Sequence, residues 1–119
     1  MDYKNMQEIA NAIPEESLLV VSLGQLRQAA GYERLGRGVL EELSTQLRGQ
    51  GVDYFPASTV DDNPQPRATD EIRLVRIADQ IGKIVKAVQE PTEAGDEILK
   101  NVSSNEAASI LQKVKLLVD

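Results

Sequence analysis

Met6, Ile9, Ala10 and Ile13 recur at helical spacing until Pro14 interrupts them, which predicts a short first helix. Leu18-Leu19-Val20-Val21 is an apolar run held between Pro14-Glu15-Glu16-Ser17 and Ser22. It is too short for a helix and predicts a buried strand. Ser22 with Gln25 three residues later is a capping-box pattern, opening a second helix whose inner face is Leu26, Ala29 and Ala30. Gly31 suits the C′ position of that helix, where a positive φ is needed. A turn over residues 32–36 leads to a third helix running to about Arg48. At 100° per residue from Leu35, the positions Val39, Leu43, Leu47 and Leu40 fall within roughly 40–140°. Arg37, Ser44, Arg48, Glu41 and Arg34 fall within roughly 180–260° on the same wheel, so the two faces separate.

Gly49-Gln50-Gly51 ends that helix, and Val52-Asp53-Tyr54-Phe55-Pro56 predicts a strand. Residues 57–70 contain Asp61-Asp62-Asn63-Pro64-Gln65-Pro66 and are expected to be irregular throughout. Glu71-Ile72-Arg73-Leu74-Val75-Arg76-Ile77 returns as a β-branched strand, making a hairpin with a long polar tip. Beyond it the pattern is purely helical. Ile77, Ile81, Ile84, Val85 and Val88 form one stripe that Pro91 breaks, and Ala94, Ile98, Leu99 and Val102 mark a second short helix. Ser103 with Glu106 is another capping box, opening a helix with Ala107, Ile110, Leu111, Val114 and Leu117 on one side.

Composition narrows the chemistry. The 119 residues carry a net charge of −6 and include no Cys and no His. That excludes disulfides, Cys or His zinc sites, Ser-His or Cys-His nucleophiles and imidazole acid–base catalysis. The acidic balance also argues against an avid non-specific nucleic-acid coat, which needs a clear basic excess. No segment approaches 18 consecutive apolar residues, so no membrane span is expected. Met1-Asp2-Tyr3-Lys4-Asn5 lacks the basic and apolar regions of a signal peptide, and a cytoplasmic location is the expectation.

The remaining candidate chemistry is thin. Asp61-Asp62 followed by Glu71-Ile72-Arg73 lacks the Lys that a metal-dependent nuclease site requires, since Arg73 cannot act as a base. The run from Asp61 to Asn63 lacks the Gly and the later bidentate Glu of a calcium loop, and no GxxxxGK[ST] phosphate loop occurs. The expectation is a protein that works by binding, with no catalytic set, metal or cofactor.

Helix, strand, helix, helix, strand, polar tip, strand is an order that resembles a winged helix-turn-helix domain over residues 3–77. The resemblance is strongest at Ser22, Leu26, Gly31, Arg34, Gly36, Leu40, Leu43, Leu47, Gly51 and Pro56. It implies an α+β fold, mainly α, with three helices and a small antiparallel sheet over residues 1–77, and a helical extension over residues 78–119. It implies binding of double-stranded DNA, with the helix from about Arg37 to Arg48 in the recognition position and residues 59–69 as the wing. Carried onto this sequence, the DNA-binding residues are Ser22, Gln25, Arg34, Arg37, Ser44, Arg48 and Arg67. Arg37 would meet a guanine edge or a phosphate, and Arg34 and Arg48 would meet phosphates. Ser22 and Gln25 would add a phosphate contact, and Arg67 would probe the minor groove.

Other readings fit the same residues. A helix face on which Arg37 and Glu41 make a good i,i+4 ion pair is also an ordinary solvated face. With Glu42, Asp61 and Asp62 nearby, a protein partner is the alternative to DNA. The C-terminal helices either enlarge the core or, through residues 104–118, form a homodimer.

Overall fold

In a computed structural model, residues 3–101 and Gln112 are described. They form α1 (Met6–Ala12), β1 (Leu19–Ser22), α2 (Leu23–Ala30), α3 (Arg37–Gly49), β2 (Val52–Phe55), α4 (Ser58–Asp61), β3 (Glu71–Arg76), α5 (Gln80–Gln89) and α6 (Glu93–Lys100). The fold is α+β and mainly helical, with one antiparallel sheet in the order β1-β3-β2. The helix expected after Ser103 and the dimer contact expected through residues 104–118 lie outside the described residues.

Local rules explain the helix ends. Ile13, the residue before Pro14, is extended at φ −71° and ψ 118°, and α1 stops there. The capping box at α2 forms in both directions: Gln25 N–H donates to Ser22 Oγ at 3.1 Å, and Ser22 N–H donates to Gln25 Oε1 at 2.9 Å. Gly31 ends α2 at φ 84°, its N–H returning to the Arg27 and Gln28 carbonyls.

The pleat of the sheet then divides its side chains between two cores. Leu19, Val21, Val52, Tyr54, Ile72 and Leu74 face α1, α2 and α3, where Ile9, Leu26, Leu40, Leu43 and Leu47 are buried. Phe55 and Val75 face the opposite way and are covered by Ile81 and Val85 of α5, with Leu18 and Val88 alongside. The sheet is therefore sandwiched, and α5 enlarges the core on its far side.

That second layer is fixed by contacts remote in sequence. The Glu16 carboxylate accepts from Gln80 N–H at 3.0 Å and from Ile81 N–H at 3.2 Å, capping α5. Asp79, the N-cap residue, makes no cap bond to its own helix and accepts instead from Glu16 N–H at 2.9 Å. Glu16 adopts the left-handed region at φ 52° to do this. Gln89, at the far end of α5, donates to the Tyr54 carbonyl and accepts from Ala57 N–H, both at 3.1 Å. Its amide so occupies a carbonyl on the outer edge of β2, a place where another strand would pair, and an N–H just beyond the strand.

Three expectations need correction. The segment over residues 57–70 is not irregular throughout, because Ser58–Asp61 makes a helical turn that buries Val60. The prolines at 64 and 66 lie beyond that turn and do not obstruct it. Ile77 belongs neither to β3 nor to the inner stripe of α5; it lies in the connection and is 38% exposed. The i,i+4 ion pair between Arg37 and Glu41 is absent: the one ion pair among the described residues is Lys100–Glu97, at 3.9 Å. Two exposed side chains gain too little from pairing in water to offset the rotamer freedom they would give up.

Candidate functional site

The outer face of α3 and the α4 turn enclose a groove of about 450 Å³. Arg37, Glu41 and Ser44 line it from α3, and Asp61, Asp62 and Asn63 line it from the β2–β3 connection. α3 presents this face because Leu40, Leu43 and Leu47 turn its other side into the core. α4 closes the second wall because Val60 is buried and because Tyr54 holds Asp61.

Tyr54 is the centre of the arrangement. It comes from β2 and is fully buried. Its hydroxyl donates to Asp61 Oδ1 and shares a hydrogen bond with Ser44 Oγ at 2.8 Å, linking α4 to α3. The Arg48 guanidinium lies over its ring, 5.3 Å from the centroid. Burial pushes the Tyr54 phenol above its ordinary pKa, and the hydrogen bond to Asp61 acts in the same direction. The contact with Tyr54 raises the Arg48 guanidinium, against a smaller opposing effect of burial. Burial likewise raises the neighbouring Asp53 carboxyl, while the hydrogen bond from Tyr54 N–H and the charge of Arg48 pull it back.

The seven expected DNA-binding residues fall into three groups. Arg34, Arg37 and Arg67 are exposed, and their guanidinium groups have no hydrogen-bond or ion-pair partner among the described residues. Ser44 and Arg48 lie one helical turn apart and converge on Tyr54. Ser22 and Gln25 are committed to capping each other. The adjoining N–H groups of α2 are also occupied, Leu23 by the Asp70 carbonyl at 2.8 Å and Gly24 by the Ala68 carbonyl at 3.0 Å. The start of α2 therefore offers no open donor set for a phosphate.

The tip between β2 and β3 has its own order. Asn63 donates to the Thr59 carbonyl at 2.9 Å and accepts from Gln65 N–H at 3.1 Å, while Asp70 accepts from Arg67 N–H at 2.9 Å. These local turns carry Arg67 into solvent.

Sequence reasoning missed Tyr54 and Asp61 as partners of the α3 face. A Tyr inside an otherwise apolar strand was the available signal, since a buried phenol needs a hydrogen-bond partner. Which partner it would find depended on a turn in the connection that the Asp/Asn/Pro composition concealed. Among the described residues there is no cluster of three or more metal-ligating side chains, and no helix is long and apolar enough to cross a membrane. No known protein family, curated protein or solved structure matches this chain.

Proposed function

We propose that this chain is a winged-helix module that binds double-stranded DNA without catalysing a reaction. The observation that carries the reading is the order β1-β3-β2 behind α1, α2 and α3, with the polar face of α3 turned to solvent. On this reading α3 enters the major groove and the β2–β3 connection is the wing. Arg37 and Arg48 stand 11 residues apart, or about 16 Å along the helix, enough to reach across a groove roughly 12 Å wide. Arg37 meets a base edge or phosphate, Arg34 and Arg48 meet phosphates, and Arg67 enters the minor groove.

The carboxylates beside these arginines set the character of the binding. Glu41, Asp61 and Asp62 share the groove with Arg37, so they repel phosphates that approach it closely. Affinity is modest and falls steeply with salt. Titration of a mixed-sequence duplex at about 50 mM salt gives a complex, and Arg37→Ala and Arg48→Ala each weaken it and reduce the salt slope by about one. Absence of any complex under those conditions refutes the reading, because phosphate contacts dominate there.

One observation favours a second reading. The same groove holds three carboxylates and one guanidinium, a balance complementary to a basic protein surface. On that reading the scaffold is a non-catalytic protein-interaction module, and Asp61→Asn with Asp62→Asn weakens partner binding while leaving duplex titrations blank.

A further inference from the structure

We propose that Tyr54 is a positioning residue for Arg48, holding the guanidinium over its ring so that its N–H groups meet the DNA backbone; this rests on the DNA-binding reading. Arg48 is near the C-terminal end of α3, is exposed, and has a long side chain with many rotamers. Left alone, such a side chain samples solvent and loses that freedom on meeting a phosphate. The contact at 5.3 Å lies within the range where a cation is attracted to the face of an aromatic ring.

The ring is itself fixed. Tyr54 is fully buried, and its hydroxyl is shared between Ser44 on α3 and Asp61 on α4. Gln89 of α5 holds its backbone carbonyl. Ser44 and Arg48 are at i and i+4 on α3, so the residue that meets the hydroxyl and the residue that covers the ring belong to one stripe. The other exposed arginines, Arg34, Arg37 and Arg67, have no such platform among the described residues. Arg48 is the preorganised member of the set, and its geometry depends on a side chain that never reaches the surface.

The test is a double-mutant cycle, read by fluorescence anisotropy with a mixed-sequence duplex at about 50 mM salt. Tyr54→Leu removes the ring and weakens binding about five- to tenfold when Arg48 is present. In an Arg48→Ala background the same change alters affinity by less than about twofold. An equal loss in both backgrounds overturns the proposal, since Tyr54 would then act only through the fold.

A readout without DNA separates this inference from the function it rests on. The expected result is that the Arg48 Nε–Hε proton carries a ring-current shift in the wild type and in Tyr54→Phe, and loses it in Tyr54→Leu. If the wild type forms no complex with duplex, the DNA reading falls and this resonance alone decides whether Tyr54 positions Arg48. An unshifted resonance in the wild type overturns the positioning. Should Tyr54→Leu fail to fold, Tyr54→Phe serves in its place: it keeps a fully buried ring, which core packing still holds beneath Arg48, so the shift is retained and affinity stays within about twofold. Loss of the shift in Tyr54→Phe also overturns the proposal.

Discussion

Replacing Gly82 with alanine should destabilise this protein, although helix propensity predicts the reverse. Gly82 lies inside α5, where alanine ordinarily gains about 1 kcal/mol over glycine. Here an added Cβ would stand 2.0 Å from the Arg76 carbonyl oxygen and 2.8 Å from its carbon. Both are backbone atoms at the end of β3, so no side-chain rotation relieves the overlap. Ordinary contact begins near 3.4 Å, which requires α5 and β3 to separate by about 1.4 Å.

That separation lifts Ile81 and Val85 from Phe55 and Val75, and it stretches the Glu16 bonds to Gln80 and Ile81. Overpacking costs about 1–3 kcal/mol and a weakened cap about 1 more, so the net loss after the propensity gain is about 1–3 kcal/mol. Urea unfolding followed by far-UV circular dichroism measures it. Gly38→Ala is the control, because Gly38 is an exposed residue of α3 and its Cβ would meet nothing within 4 Å. That variant should gain up to about 1 kcal/mol. If Gly82→Ala is as stable as the wild type, or more so, the close approach of α5 to β3 is wrong.

Gln89→Ala should cost about 1–3 kcal/mol in the same urea assay, because it strands the Tyr54 carbonyl and the Ala57 N–H; an unchanged midpoint rules out that bridge. Glu16→Ala should cost about 0.5–2 kcal/mol by uncapping α5, whereas Glu15→Ala, at an exposed neighbouring residue, should stay within about 0.5 kcal/mol. Asp53→Asn should raise the melting temperature at pH 7. Burial raises the folded Asp53 pKa, so its contribution to stability is fully present below the ordinary value of 3.8 and is lost as pH rises through the folded value. The advantage of the Asn variant should therefore vanish on acidification to that range, and a pH-independent advantage contradicts the assignment. Tyr54 obeys the same sign at alkaline pH: its raised folded pKa makes stability decline above about 10, and Tyr54→Phe should flatten that decline in thermal melts.

The residues along the chain determined, by themselves, what depends on near neighbours. Ser22 and Gln25 are three apart and formed the capping box their spacing implied. Gly31 took its positive φ, Pro14 ended α1, and Leu40, Leu43 and Leu47 became the buried stripe of α3. The strand-like segments bounded by turn residues became the three strands, and the absence of Cys and His removes disulfides, Cys or His zinc sites and imidazole catalysis.

Tertiary structure decided everything that rests on partners distant in sequence. Glu16 caps a helix that begins 64 residues later, and Gln89 reaches back 35 residues to Tyr54. Neither residue differs in local pattern from a solvated polar side chain. Gly82 reads locally as a weak spot in a helix; against the Arg76 carbonyl it is the only residue with room to be there. The arginines of α3 were legible as one polar face, yet their separation into free and tethered members was not. That separation required β2 to bring Tyr54 beneath α3 and Val60 to pull α4 against it. Helical periodicity reports which side of an element is wet, because that depends on neighbours three and four residues away. It carries no information about which remote group arrives to meet a wet side chain. Only the closed chain determines that.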